Sequence, residues 1–297
     1  MAESPLDRWL RRQGWMERWG DAIQSAVGSF YDALGAPGRV LKNAMHGTIL
    51  LGHPLHPAIT DVPIGAWTAG VVADYVAHFT SRLPTEAGDI ALAVGLVAGL
   101  LAAVSGYTDF HDTFAHERRV GLLHGLVNSV VLVVMFVSLA LRWWAGPGAH
   151  PLAVALSTVG WVLVIFGGYV GGHLVFGNAT MVNRTAFLDG FEGAVAVGAS
   201  TDFPEGELRR ADASGMPVLL VRRGGRLFAI SATCSHAGGP LDEGALDGTV
   251  VTCPWHGSQF DVSTGRVCGG PATFGLPALR VVETEGRVTV ELTEPLH

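Results

Sequence analysis

Three cysteines in 297 residues are too few for a disulfide framework, and nothing in the thiol content points to an oxidising compartment. Charge is scarce too: 15% of residues are charged and they sum to −7. That balance gives no basic footprint for nucleic acid, so a nucleic-acid partner is not expected. The first fifty residues lack the early apolar core of a secretory signal. Apolar residues, in contrast, make up 49% of the chain, and their excess lies in the middle third. A chain of this length is expected to hold about two domains.

The N-terminal stretch sets Trp9, Trp15, Trp19 and Phe30 among Arg8, Arg11, Arg12 and Arg18. Two readings stand: a helix lying along a membrane surface, or a solvated helix packed on another domain. Pro37-Gly38 closes this stretch, and Arg39 to Leu51 reads as a second short helix. Four apolar runs follow, from about Ala58 to Phe79, Ile90 to Tyr107, Val120 to Trp143 and Leu152 to His173. Each is close to the twenty or so residues that a bilayer-crossing helix needs. They are rich in Gly, Ala and Val, as closely packed membrane helices are. Trp67, Tyr107, Trp143 and Trp144 fall within the bundle or near its ends, where aromatic side chains anchor at the interface.

Basic residues give an orientation. Arg8, Arg11, Arg12, Arg18, Arg39 and Lys42 precede the first run, and Arg118 and Arg119 follow the second. The loops after the first and third runs offer only Arg82 and Arg142. The expectation is a multi-pass protein of the cytoplasmic (inner) membrane with both termini in the cytoplasm. His53, His56, His111, His116, His124 and His173 then gather at the cytoplasmic face, with only His78 and His150 opposite.

The chemistry-bearing stretch is Cys234-Ser-His236, followed by Cys253-Pro-Trp-His256. Two thiolates and two imidazoles suit zinc. Zinc fingers, however, usually separate the Cys pair from the His pair, whereas each pair here holds one of each. That order suits a two-iron cluster in which one iron takes both sulfurs and the other takes both imidazoles. From about Pro204 onward, CSHAGGPL and CPWHGSQFD resemble the ligand loops of Rieske ferredoxin-type domains. The resemblance implies a [2Fe–2S] cluster held by Cys234, His236, Cys253 and His256. It implies too that Gly238, Gly239 and Gly257 bring backbone N–H groups to the sulfurs, and that Gly269-Gly270-Pro271-Ala272 is the loop covering the cluster. High-potential members of the family carry two further cysteines where Gly239 and Trp255 stand here, and a Tyr hydroxyl where Phe260 stands. Ser258 keeps its hydroxyl. The likeness therefore leans to the ferredoxin side in potential. Cys268 is left over, and the expectation is a small packed residue.

Around these loops, Met216–Arg222 and Arg226–Ser231 read as strands joined at Gly224-Gly225. Thr249–Thr252 leads into the second loop, and Leu279–Glu283 with Arg287–Leu292 form a hairpin at Glu285-Gly286. The fold class is thus α+β in two domains, a four-helix transmembrane bundle followed by an all-β Rieske sandwich. The boundaries expected are 1–50 for the amphipathic segment, 51–178 for the bundle, 179–200 for a linker and 201–297 for the cluster domain.

The box LGHPLHPAITDVPIG resembles the opening of an uncharacterised family of four-helix bacterial membrane domains, sometimes fused to Rieske domains. Ser105-Gly106 with Asp109, and His124 with Asn128, belong to the same resemblance. Three roles stay open for its histidines: capping a helix at His56-Pro57, ligating haem b, or binding quinone or a non-haem metal. The ligand pair chosen for a cofactor is His56 and His124, with Asn128 one turn from His124 and His173 in reserve. The function expected is single-electron transfer between a soluble redox partner and a membrane or protein acceptor. A redox-sensing or structural anchor, and the electron-transfer component of a multi-subunit oxygenase, are the alternatives. An oxygenase within this chain is excluded, because no soluble stretch is long enough for the mononuclear iron domain.

Overall fold

Helices fill the first part of the chain and strands the last. The computed structural model describes residues 4–48, 51–80 and 82–293. Its chain divides into one unit of Met1–Leu41 with Leu55–Thr180 and a second of Lys42–Pro54 with Met181–His297.

In the first unit, α1 (Pro5–Arg11) starts at Ser4, whose hydroxyl accepts the Asp7 N–H, with proline in the first turn. Helices α2 (Trp15–Ala33) and α3 (Gly35–His46) follow. The helix expected at Arg39 to Leu51 is therefore the end of α3, and residues 49 and 50 lie outside the described ones. Leu10 and Met16 are buried with Phe110, Val120, Leu122 and Val170, while Trp9, Trp15, Trp19 and Phe30 are exposed. The segment thus has an inner face packed on the bundle and an outer face lined with aromatics.

Four long helices make the bundle: α4 (Leu55–Thr80), α5 (Glu86–His111), α6 (Ala115–Trp144) and α7 (His150–Asn178). Trp67, Leu92, Leu96, Val131, Met135, Leu139 and Val164 form its core. Val97, Val133, Phe136 and Ile165 point outward and exposed. Helices apolar both inside and out suit a lipid environment. Among the described residues three helices are long and apolar enough to cross a membrane: Glu86–His111, Ala115–Trp144 and Pro147–Asn178. Of the four expected spans, α4 falls short of that length-and-composition test. The physical reason is that α4, though as long, carries His56, Asp61, Asp74 and His78 along its length. Arg142 is also not a loop residue. It lies in the last turn of α6, with its side chain 1% exposed.

The second unit is all antiparallel, in two sheets. One has the order β1 (Val195–Ala199), β10 (Arg287–Leu292), β9 (Ala278–Thr284), β4 (Arg226–Ser231), β3 (Met216–Arg223), β2 (Leu208–Ala213). The other runs β5 (Ala245–Asp247), β6 (Val250–Thr252), β7 (Gln259–Asp261), β8 (Val267–Gly269). Strand β3 shows why the sheet is covered on both sides. Val218 and Leu220 enter one core while Leu219 and Val221 enter the other, as a two-residue period requires. The stretch expected as a linker, 179–200, contains β1 and a 3₁₀ turn at Arg184–Phe187. A bulge between Ala196 and Gly198 breaks the alternation that would have marked β1 as a strand. Cys268 is exposed rather than packed, since the alternation of β8 turns it outward between Val267 and buried Gly269.

Candidate metal centre

Two turns of the β unit carry the four proposed ligands, one after β4 and one between β6 and β7. Their backbones are closed by the same pair of hydrogen bonds. In the first, Gly238 N–H donates to Cys234 O and Cys234 N–H to Gly239 O, each at 2.9 Å. In the second, Gly257 N–H donates to Cys253 O at 3.1 Å and Cys253 N–H to Ser258 O at 2.8 Å. The fourth residue after each cysteine is a glycine with positive φ, +81° at Gly238 and +75° at Gly257. Only glycine takes that conformation without strain, so it sets both turns at the same place.

The turns differ in where the histidine sits, two residues after Cys234 and three after Cys253. Even so, the His236 and His256 rings come together, with centroids 5.0 Å apart and nearly perpendicular. Each sulfur accepts two backbone N–H groups of its own turn, from His236 and Ala237 to Cys234 and from Trp255 and His256 to Cys253. The thiols are also hydrogen-bonded to each other. That bond raises the proton affinity of Cys234 and lowers that of Cys253. The sulfurs are buried and both imidazoles half-buried. A Cβ on Gly239 would lie 2.8 Å from Cys253 Sγ and 3.1 Å from Trp255 Cγ. Gly239 and Trp255 therefore do face each other, and glycine is what lets the backbone reach the sulfur.

The residues fit an iron–sulfur group: two buried sulfurs facing each other, N–H donors aimed at them, and two imidazoles together on the outer side. The segment expected to cover the centre is tied to both turns. Ala272 N–H donates to Ser258 Oγ at 3.0 Å, and Ser235 Oγ donates to Phe274 O at 2.6 Å. Phe260 is fully buried and offers no hydroxyl.

In the helical unit, His56 and His124 meet edge to face with centroids 5.9 Å apart. His56 Nδ1 lies 2.8 Å from Ala102 O, and His124 Nδ1 lies 2.9 Å from Gly167 O. In a neutral ring each Nδ1 is then the donor and Nε2 the acceptor, with Asn128 Nδ2 3.5 Å from His124 Nε2. Asn128 donates to His124 O at 2.8 Å and sits against the His124 ring. Gly106 and Gly171 leave the space the rings occupy, for a Cβ there would stand 2.8 Å and 2.9 Å from them. His173 does not join this pair. Its Nε2 lies 2.8 Å from Asp7 Oδ1, which also receives His116 Nε2 at 2.6 Å. Burial alone would raise the Asp7 carboxyl, but the hydrogen bonds from Ser4, His116 and His173 hold it well below the carboxylate range.

Sequence reasoning missed the buried ion cluster of the bundle. Arg142 of α6 meets Asp74 of α4 with two bonds, at 2.8 and 2.6 Å, Asp89 of α5 at 3.0 Å and Ser157 of α7 at 3.0 Å. An aspartate inside the first apolar run was the available signal.

Paired Cys–His turns of this geometry in an all-β unit define an iron–sulfur domain of the Rieske class. The chain belongs to the Rieske [2Fe-2S] domain family, which matches residues 193–280, and so carries a [2Fe–2S] centre and serves electron transfer. Residues 52–184 match a second family, described as "Predicted membrane protein (DUF2231)". Ferredoxin CarAc of Metapseudomonas resinovorans is 39% identical over 93 residues, covering 31% of this chain and 87% of that protein. The biphenyl 2,3-dioxygenase ferredoxin component of Rhodococcus jostii (strain RHA1) is 40% identical over 88 residues, 30% of this chain and 81% of that protein. Among solved structures, the ferredoxin of carbazole 1,9a-dioxygenase from Nocardioides aromaticivorans IC177 is 31% identical, with a TM-score of 0.33, over 34% of this chain and all of that one.

Proposed function

We propose that this protein is a membrane-anchored carrier of single electrons, taking them from a soluble reductase and delivering them to an acceptor in or on the membrane. When bound by Cys234, His236, Cys253 and His256, the [2Fe–2S] group supplies a one-electron couple. The chain's residues do the rest. Cys234 and Cys253 anchor the inner side, and the backbone N–H groups of both turns stabilise charge on the sulfurs. The observation that carries the reading is the exposure gradient: sulfurs buried, His236 and His256 half-buried together, and Trp255 exposed beside His256 with centroids 6.4 Å apart. That edge is the natural contact for a redox partner, because electron transfer favours the shortest path from cluster to surface. One relative is named a ferredoxin and another a dioxygenase ferredoxin component, which leaves an oxygenase open as one class of acceptor. The test is metal analysis and electron paramagnetic resonance of the purified full chain. Two irons and two sulfides with a mixed-ligand signal on reduction are expected; one zinc per chain overturns the reading.

The anchor is the helical unit, with both termini in the cytoplasm. Arg142 sits in a buried ion cluster rather than in the far-side loop, which sharpens the basic asymmetry that supports this orientation. A reporter fused after His297 is expected to behave as cytoplasmic and one inserted near Pro84 as exported; the reverse overturns the orientation. A second reading rests on His56 and His124. Each offers Nε2 while Nδ1 is held by a backbone carbonyl, the arrangement that orients metal-bound imidazoles. A haem b bound there gives an optical spectrum that disappears in His56→Ala and His124→Ala with the cluster retained. Full cluster occupancy without haem, after expression with haem supplied, leaves helix capping or a quinone as the role of these rings.

A further inference from the structure

The β unit includes a piece of chain that no Rieske match covers. Residues Lys42–Pro54 count with it, although the family match begins only at residue 193. The last turn of α3 ends in a helix-terminating motif. Gly47 has φ +87°, its N–H donates to Ala44 O at 3.0 Å, and Thr48 N–H donates to Asn43 O at 3.1 Å. This turn delivers three side chains to the covering loop of the cluster. Asn43 Oδ1 accepts the Gly270 N–H at 2.9 Å, and Thr48 Oγ1 donates to Ala272 O at 2.9 Å. His46 is fully buried beside them. Gly270 has to be glycine for this fit, since a Cβ there would lie 2.8 Å from Thr48 Oγ1 and 3.1 Å from His46 Cδ2.

The Ala272 residue is therefore gripped from both ends. Its carbonyl takes the Thr48 hydroxyl, and its N–H donates to Ser258 Oγ, which is fully buried. The Ser258 hydroxyl is thereby held from the side of the covering loop. Ser258 closes the Cys253 turn through its backbone oxygen. We infer that Asn43 and Thr48 are positioning residues that fix the covering loop and, through Ser258, set the reduction potential of the centre. The inference rests on the [2Fe–2S] reading above. Potentials of such centres depend on the hydrogen bonds and solvent around the sulfurs, and here part of that environment is supplied from 224 and 227 residues away in the chain.

The test is protein-film voltammetry of the full chain in Thr48→Val, Thr48→Ser, Asn43→Ala, Ser258→Ala and Thr48→Val/Ser258→Ala, with iron and sulfide counted in each. Thr48→Val and Ser258→Ala are expected to shift the potential downward together. Each should lower the reduced-to-oxidised ratio at fixed potential roughly tenfold, which is about 59 mV for a one-electron couple. The double variant should go no lower than Ser258→Ala alone. Thr48→Ser should restore the wild-type value, and Asn43→Ala should move in the same direction as Thr48→Val. An unchanged potential in both Thr48→Val and Asn43→Ala, with clusters intact, overturns the inference and leaves the electron-transfer reading standing. Absence of a [2Fe–2S] signal in the wild-type chain overturns that reading instead. Should Thr48→Val fail to assemble, the potential of Asn43→Ala decides by the same criterion.

Discussion

The helical unit and the β unit both hold reactive or charged groups in an apolar interior, by opposite means. In the bundle, side chains satisfy side chains: Arg142 against Asp74 and Asp89, and Asp7 against His116 and His173. In the β unit, backbone satisfies side chain, two N–H groups to each cysteine sulfur. Side-chain pairing joins distant helices but leaves a costly orphan when one partner goes. Backbone pairing survives most substitutions but depends on the few glycines that let the chain come close.

The largest effect is expected where nothing else can replace the group. Cys234→Ser or Cys253→Ser in the full chain should abolish the cluster, seen as loss of both irons and of the resonance signal. Arg142→Leu is next. It strands the Asp74 carboxylate, whose side chain is 0% exposed, and should destabilise the helical unit by about 3–5 kcal/mol in detergent-based unfolding. Pairing it with Asp74→Leu should recover most of that loss, and a double variant as poor as the single would mean that the charges are not coupled. Gly239→Ala tests the other strategy. Its methyl meets Cys253 Sγ and Trp255, and a cost of about 1–3 kcal/mol is expected, with reduced cluster yield.

Acidification should distinguish the pairing around Asp7. Its folded carboxyl is held below the unfolded value of about 3.9. The stabilisation is therefore fully present above that value and is lost as pH falls through the lower, folded one. Hydrogen-exchange protection of α1 should be independent of Asp7 ionisation near neutrality and collapse only in strong acid, while Asp7→Ala loses it at all pH values. The smallest effect belongs to Cys268→Ser. An exposed thiol on β8 with a weak contact to Arg266 O at 3.8 Å should change stability by less than about 0.5 kcal/mol when replaced and leave cluster content intact.

What was legible in the sequence follows the same division. The two Cys–His turns are local, so Cys, His and Gly at fixed offsets announced them, and Gly224-Gly225 and Glu285-Gly286 announced the two hairpins. The four long helices were visible as apolar runs. The ion cluster was not, because Arg142 and Asp74 stand 68 residues apart and neither alone names the other as its partner. The grip of Asn43 and Thr48 on the covering loop was equally silent, since polar residues after a helix carry no address. His173 was read by its depth along α7, yet its partner comes from α1, an element that depth along the bundle does not reveal. Strand β1 was taken for linker because a bulge interrupts its period.

The placement of Arg142 bears on how such a chain enters a bilayer. An uncompensated guanidinium costs about 2.5–3.5 kcal/mol at the centre of an inserted helix, and one buried near a helix end, as here, still needs a counter-charge. Here both acids come earlier in the chain, at Asp74 and Asp89. By the time α6 leaves the ribosome, its two carboxylate partners have already been synthesised. The α4 helix, too polar to qualify as a span by itself, in turn keeps its Asp74 unpaired until α6 arrives. On the proposed membrane anchoring, the first and third long helices depend on each other for entry, and a truncation after α5 should leave α4 poorly inserted even though every residue of α4 is present.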